Sequence, residues 1–424
     1  MTLPPKFPAT FPGLLAVLFV ALTFPVSATS PVSPQKLLDK KLPATAPEND
    51  PYTKGGRPEY LEKAGYVSMG GFEFGPEPDT DESIEEFFED NDDVQLRWIE
   101  TEHFQLGFAL GGIKVTQAEK KKIRAECARL SEKLWKVSKK PSFLDPWLRA
   151  HLYAQRLEET YAQVVDFIDA EAIEFPAEGT VWKSNTPYWG TGPYLGQSGK
   201  YEVMILPTEH AYTTYMRGRV GLTTRLTQRW NFVERDTLST LTHIEQEEMR
   251  VDEALHGHIV ACTVQNMLNG FLHYSYDKPV WILEGCSHVF ERDLNPRFNS
   301  STSSEGGAPV KVRKRLWSPE VAKLVKSKEA PSIATLVKRN AFAELNASDH
   351  VCVWSMVEYL REKHPGFVGK YFLAISGLKN EDGVDDPQGL QDAQRAVFRD
   401  ELGMSYAKFD TAWREWAAEP KKDK

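Results

Sequence analysis

The sequence lacks the features of a nucleic-acid-binding protein and of a membrane-spanning protein. Its formal net charge is -9 over 424 residues, and its lysines and arginines form no long basic stripe of the kind that contacts a phosphate backbone. Beyond residue 30, no segment approaches the run of about eighteen apolar residues that a transmembrane helix needs. We therefore expect no nucleic-acid partner and no stable membrane span in the mature chain.

Cysteine is also scarce, and the chain has no internal repeat. Four cysteines allow three disulfide pairings, and the sequence does not separate these pairings from a set of free buried thiols. The apolar fraction of 41% and the charged fraction of 26% are those of an ordinary soluble protein. The cysteines are Cys127, Cys262, Cys286 and Cys352.

The N-terminus has the pattern of a secretory signal peptide. Lys6 precedes an apolar run over residues 13–24, which is too short to cross a bilayer as a helix. Small residues follow, and they predict cleavage after Ala28, so that residues 1–28 are removed. An uncleaved signal anchor is the alternative. We therefore expect an exported protein, located in a periplasm or outside the cell.

Residues 29–95 lack the periodicity of a folded domain. The first part, to about residue 66, is rich in Pro, Ser, Lys and Gly, and residues 77–93 hold ten acidic side chains and no basic one. Such compositions favour a solvated, disordered chain, although Phe87 and Phe88 could dock on a domain. We predict a linker here, followed by one folded domain over residues 96–420.

Hydrophobic periodicity in the folded part predicts strands first and helices afterwards. Alternation over residues 98–108 and the apolar run Tyr201–Leu206 indicate strands, whereas residues 117–137 have apolar side chains at helical spacing. From about residue 237 onward the pattern is helical. The order predicts an α+β fold with a small N-terminal sheet and a mostly helical C-terminal half.

Two segments carry the candidate chemistry. The first contains Asp252-Glu253-x-x-His256, which has the spacing of HExxH, a motif that places two zinc ligands one helical turn apart with a glutamate base between them. The second, PVWILEG over residues 279–285, resembles the run that begins the third-ligand helix of gluzincin-type zinc metallopeptidases, in particular the bacterial peptidase-MA-like domains. Glu284 follows the first segment in the expected order.

The resemblance implies a zincin-like domain that holds zinc through His256 and Glu284, with Glu253 as the catalytic base. Asp252 stands where the family has its first histidine ligand. A carboxylate there keeps the facing geometry, but it makes a zinc site more anionic and its bound water less acidic. His288 lies four residues after Glu284, hence on the same helix face, and is the residue that could replace the missing ligand.

Three more residues are candidates for substrate binding. The resemblance implies that His350 lies near a position where such domains often have a residue that helps to hold the substrate. The alternative is that His350 has only a structural role. Trp189 and Tyr194 precede the strand Tyr201–Leu206 and could line a cleft in which an extended peptide adds to an exposed strand edge. A packed loop is the alternative for these aromatic residues.

The sequence thus predicts an exported zinc-metallopeptidase-like protein that hydrolyses a peptide or protein substrate with metal-activated water. The alternative is a catalytically inactive pseudo-peptidase that binds peptides or envelope components through the cleft that holds the substrate in active peptidases. The altered ligand Asp252 favours the inactive protein. Retention of Glu253, His256 and Glu284 together favours the enzyme.

Overall fold

The fold is seen in a computed structural model of the chain. The structure describes residues 43–76, 82–91, 94–170, 190–232, 235–246, 248–272, 274, 278–302, 316–378 and 386–421. The predicted signal peptide, residues 1–28, and the candidate Trp189 lie outside these ranges. Both therefore stay predictions.

The described chain from residue 43 onward contains a mixed sheet and a helical C-terminal half, which confirms the predicted α+β class. The strands are β1 (Tyr66–Ser68), β2 (Arg97–Thr101), β3 (Phe104–Phe108), β4 (Ile113–Lys114), β5 (Phe143–Leu144), β6 (Tyr201–Leu206), β7 (Gln228–Phe232) and β8 (Thr237–His243). The helices are α1 (Pro58–Ala64), α2 (Ile84–Asn91), α3 (Lys120–Lys133), α4 (Pro146–Phe167), α5 (Glu209–Gly218), α6 (Asp252–Gly270), α7 (Val280–Leu294), α8 (Trp317–Lys326), α9 (Ile333–Leu336), α10 (Ala347–Lys363), α11 (Phe367–Ile375), α12 (Pro387–Leu402) and α13 (Tyr406–Ala417).

The predicted edge strand, β6, lies in the middle of the sheet. The strand order is β1-β2-β3-β6-β8-β7, and β6 pairs in parallel with both β3 and β8. Val203 packs in the larger apolar cluster of the protein, and its neighbour Met204 packs in a smaller cluster on the other face of the sheet. Burial on both faces explains the continuous apolar run. No edge of β6 is left for a peptide to join.

The described part of residues 29–95 differs from the predicted disordered linker, because it carries α1, β1 and α2. His151 of α4 anchors this segment: its Nε2 lies 3.1 Å from Asp50 Oδ2, and its Nδ1 lies 2.9 Å from the Tyr66 hydroxyl. Phe87 and Phe88 are buried in the smaller apolar cluster. The composition is polar, but these few side chains supply the buried contacts that order the segment.

Helices α6 and α7 pack as an antiparallel pair. The side chain of Gln265 contacts Glu284 near the start of α7, whereas Gly257, two turns earlier in α6, faces Glu291 near the end of α7. Both helices are buried along nearly their whole length. The pair therefore brings the two motif segments side by side, with the N-terminus of α6 next to the C-terminus of α7.

A glycine sets how closely α7 approaches α10. A Cβ atom added at Gly285 would lie 2.6 Å from Val357 Cγ2 and 2.8 Å from the carbonyl oxygen of Val353. Contacts this short with backbone are not tolerated, so only glycine permits the observed spacing. The close approach places the first turn of α10 against the middle of α7.

The four cysteines are free and buried, so no disulfide bond links α6 to α7. Among the residues that the structure describes, no helix is both long enough and apolar enough to cross a membrane.

We predict that Gly285→Ala destabilises the protein by about 1–3 kcal/mol, because the added methyl group must push α7 away from α10. Urea unfolding followed by circular dichroism measures the loss. Gly111→Ala is the matched control, since a Cβ at Gly111 meets no atom within 4 Å. Equal stability of the two variants would contradict the packing argument.

Candidate metal centre

Three side chains of metal-ligand type meet between α7 and α10. Glu284 and His288 lie one turn apart on α7, and His350 lies in the first turn of α10. Glu284 Oε2 is 3.2 Å from His288 Nε2 and 3.3 Å from His350 Nδ1, and the two nitrogens are 3.0 Å apart. We call this group the triad. Within the described ranges, it is the group whose ligand atoms come together closely enough to hold a metal ion.

The position of His350 is fixed by the start of α10. Asn346 caps the helix: its side-chain oxygen accepts from the backbone N–H groups of Ser348 and Asp349, at 2.8 and 3.1 Å. The Asp349 carboxylate accepts in return from the Asn346 backbone N–H, at 3.1 Å, which completes a capping box. His350 therefore enters the helix at a defined point, opposite α7.

The spacing of the three ligand atoms suits a small divalent cation. Donor atoms about 2.0–2.2 Å from a tetrahedral zinc ion lie about 3.3–3.6 Å from one another. The triad atoms are 3.0–3.3 Å apart, and a shift of a few tenths of an ångström would bring all three to one ion. Two imidazole nitrogens and one carboxylate oxygen form a ligand set that zinc accepts.

The two carboxylate oxygens of Glu284 have different partners. Oε1 accepts from Gln265 Nε2 at 2.9 Å and from the Thr302 backbone N–H at 3.0 Å, which fixes the plane of the carboxylate. Oε2 is buried, and the polar atoms next to it are His288 Nε2 and His350 Nδ1, at 3.2 and 3.3 Å. A cation at the centre of the triad would satisfy all three atoms.

The triad is buried, and its charged groups stabilise one another. Glu284 and His288 are fully buried, and His350 is 5% exposed. Burial opposes ionisation of Glu284, but hydrogen bonds and charges of the two histidines hold the pKa of its carboxyl well below the usual range. Burial likewise opposes the charged form of His288, yet Glu284 and Glu291 raise its pKa. The carboxylate is therefore ionised, as a metal ligand must be.

Glu291 stands behind His288, on the side away from the triad. Its carboxylate accepts from the backbone N–H and the hydroxyl of Ser300, at 2.7 and 2.8 Å, and its Oε2 lies 3.9 Å from His288 Nδ1. His288 Nδ1 has no hydrogen-bond partner among the described groups. A carboxylate in this place favours the tautomer in which Nδ1 carries the proton and Nε2 is free to bind a metal.

The structure does not bring Asp252 to the triad, contrary to the ligand role predicted from the motif. Its carboxylate is buried and bound by two arginines: Oδ1 lies 3.2 Å from Arg149 Nε, and Oδ2 lies 2.8 Å from Arg156 Nη1. Tyr153 donates a further hydrogen bond to Oδ1, at 3.1 Å. The lone pairs that would bind a metal are used by these donors, because α4 runs directly beside the N-terminus of α6.

His256 also lies outside the triad. Its Nδ1 is 2.8 Å from Lys122 Nζ, and therefore accepts a hydrogen bond from α3. Burial, together with the positive charges of Arg156 and Lys122, lowers the pKa of His256 well below its usual value, so the imidazole is neutral. The predicted pair of ligands on α6 is thus part of a charged network that joins α6 to α3 and α4.

The predicted base, Glu253, is remote from the triad. It is half-buried, and its Oε2 accepts from Asn295 Nδ2 at 2.9 Å. Asn295 follows the last residue of α7, about 16 Å along the helix axis from Glu284. Tyr194 is also occupied elsewhere, since its backbone carbonyl accepts from the Tyr201 hydroxyl and its ring meets that of His103. Of the predicted residues, Glu284, His288 and His350 come together.

We predict that Asp252→Asn lowers the free energy of unfolding by about 3 kcal/mol, because buried Arg149 loses its carboxylate partner and buried Arg156 keeps only Glu126. Urea unfolding at pH 7 measures this loss. Metal content should stay at the wild-type level, because Asp252 is no ligand; loss of metal from a folded variant would contradict this assignment.

Acid titration gives a second measurement on the same residue. Burial opposes ionisation of Asp252, but Arg156 and Arg149 hold the pKa of its carboxyl at about 2, below the usual 3.8. A depressed pKa contributes stability above pH 4 that is lost as the pH falls from about 4 to 2, here about 2 kcal/mol. We expect the wild type to lose this amount in that range and Asp252→Asn not to lose it.

Comparisons with known proteins identify no relative of this chain. No protein-family model matches it, and no curated protein matches it either. The structure shows a buried Glu/His/His group between α7 and α10, which is compatible with a metal site.

Proposed function

We propose that the protein is a metallopeptidase-like zinc protein that holds one zinc ion through Glu284, His288 and His350, and that this zinc has a structural role. The observation that carries the proposal is the convergence of the buried oxygen Glu284 Oε2 with two imidazole nitrogens, both within 3.3 Å. An ionised carboxylate is costly to bury, and a cation bound by it and the two imidazoles would offset that cost.

Two features favour a structural metal over a catalytic one. The three ligand residues are at most 5% exposed, whereas a catalytic zinc must be reached by substrate. The glutamate that would act as base in an active gluzincin, Glu253, hydrogen-bonds to Asn295 at the other end of α7. These two features favour the catalytically inactive pseudo-peptidase over the active enzyme.

Zinc is the metal that we propose, because the ligands are two imidazoles and one carboxylate in a site without sulfur. Magnesium and calcium prefer oxygen ligands and keep more of them, so the donor set disfavours both ions. Copper would also accept the imidazoles, and the metal content of protein purified without chelator decides between the two ions.

We predict that the purified chain, prepared without chelator, binds one equivalent of zinc with a dissociation constant below micromolar. His288→Ala and His350→Ala should each lower the affinity by at least about a hundredfold, because each removes one of three protein ligands. His256→Ala is the matched control: it removes a buried histidine of α6 and should keep the zinc. Competition with a chromophoric chelator measures the affinities.

Retention of zinc by both triad variants, or its loss from His256→Ala with the fold intact, would overturn the proposed ligand set. Folding of each variant is checked by its thermal unfolding midpoint without metal. The wild-type midpoint should rise when zinc is added, because a ligand that binds only the folded state stabilises it.

Peptide hydrolysis is the second candidate function. It is favoured by the donor set, since two histidines and a glutamate leave a fourth position in which zinc activates water in catalytic sites. We predict that the zinc-loaded protein shows no zinc-dependent cleavage of casein or of a quenched peptide library. Cleavage that is lost in both His350→Ala and Glu253→Gln, with zinc still bound in Glu253→Gln, would favour the enzyme instead.

A further inference from the structure

A cavity of about 300 Å³ lies at the C-terminal ends of α7 and α10, beside α8 and α13. Small-molecule sites begin at about this volume. The cavity is separated from the triad by indole rings: Trp317 lies 4.9 Å from the His288 ring and 5.7 Å from the ring of Trp354, which lines the cavity. The cavity is therefore a site of its own.

Two indoles and four carboxylates give this cavity its chemistry. Trp354 is 9% exposed, whereas Trp416, the other indole of the lining, is half-buried. Trp416 Nε1 donates to Glu362 Oε2 at 3.1 Å, which fixes the orientation of the indole. Three more carboxylates line the cavity: Asp293, Glu358 and Glu419. Aromatic faces and carboxylates both attract cations.

The arginines of the lining are committed to protein partners. Arg361 forms ion pairs with Asp293 and Glu358, each at 2.6 Å. The guanidinium of Arg292 lies between two indoles, 4.3 Å from the centre of the Trp317 ring and 4.9 Å from that of Trp354. An anionic ligand would have to break these contacts, so the lining discriminates against anions.

The C-terminal segment already places an ammonium group on the wall of the cavity. The backbone N–H of Lys421 donates to Ser318 Oγ at 2.6 Å, and Lys421 Nζ lies 5.0 Å from the centre of the Trp416 ring. This distance is within the range of a cation–π interaction. The chain therefore presents an alkylammonium group to the same indole that a ligand would meet.

We propose that the cavity binds an alkylammonium group on an apolar stem, the chemistry of a lysine side chain, and that Lys421 is its intramolecular competitor. The ammonium would lie against Trp416 near Glu362 and Glu419, and the methylene stem would pack on Trp354. This inference does not depend on metal binding, because no residue of the triad lines the cavity.

The test is calorimetric titration of the full chain with Nα-acetyl-lysine amide, with Nα-acetyl-norleucine amide as the uncharged comparison. We expect millimolar binding of the lysine amide and at least fivefold weaker binding of the norleucine amide. Lys421→Gln should tighten binding of the lysine amide about threefold or more, because it removes the competitor. Titration with n-butylamine tests whether a free amine or a lysine-bearing peptide is the ligand. An affinity equal to that of the lysine amide assigns recognition to the ammonium alone. A weaker affinity assigns it to a lysine-bearing peptide.

Variants of the indole wall complete the experiment. In the Lys421→Gln background, Trp416→Leu should weaken binding at least fivefold, and Glu362→Gln should weaken it in the same direction. Trp135→Leu is the matched control, because Trp135 also carries a lysine, Lys54, 3.7 Å from its ring centre but does not line the cavity. Thermal unfolding midpoints verify that each variant is folded.

No binding of the lysine amide to Lys421→Gln at concentrations up to about 20 mM would overturn the proposal. So would equal affinity for the norleucine amide, which would mark an apolar cavity without preference for charge. The affinity for the lysine amide should be the same in zinc-loaded and zinc-free protein. A failure of this proposal is therefore distinguished from a failure of the zinc proposal.

Discussion

Glu284 Oε2 has two imidazole nitrogens within 3.3 Å in the protein interior, where an ionised carboxylate is costly to bury without partners of opposite charge. The surrounding structure keeps this oxygen in place. Gln265 and Thr302 hold the other carboxylate oxygen, and the close contact at Gly285 brings α10, with its histidine, against α7. The fold thus holds three atoms of metal-ligand type together in the interior, and we propose that they bind a cation.

The same helix pair explains why the motif on α6 cannot complete this centre. In the antiparallel packing of α6 and α7, Gln265 is the α6 residue that contacts Glu284, whereas Asp252 begins the helix more than three turns earlier. That end of α6 is held by arginines of α4. Asp252 is a buried carboxylate that is paired with arginines. Its charge network stabilises the junction of α3, α4 and α6 and does not bind a metal.

Much of the fold could be predicted from the sequence, because the patterns that indicate it lie within short segments. Period-two alternation in the N-terminal half and apolar runs at helical spacing in the C-terminal half predicted the α+β class. Glu284 and His288 could be predicted as a pair for the same reason, because side chains four residues apart lie on the same face of a helix. The run PVWILEG is buried throughout its helical part, as a core helix requires.

The rest depended on contacts between distant elements. His350 lies sixty-six residues after Glu284, and only the packing of α10 on α7 makes it a partner, so no spacing rule could assign it as a ligand. Asp252 kept the spacing of a metal motif, but its partners Arg149 and Arg156 lie about a hundred residues earlier. The ordered segment before β2 was hidden by its polar composition, because its order comes from single buried contacts such as the one between Asp50 and His151.

The most direct test of this account is zinc-edge X-ray absorption of the zinc-loaded protein. The triad predicts a first shell of nitrogen and oxygen atoms at about 2.0–2.2 Å, with the outer-shell scattering of two imidazole rings and no sulfur. Scattering from sulfur at about 2.3 Å would place the zinc on a cysteine, and a shell without imidazole would exclude His288 and His350. Either result would contradict the triad as the metal centre.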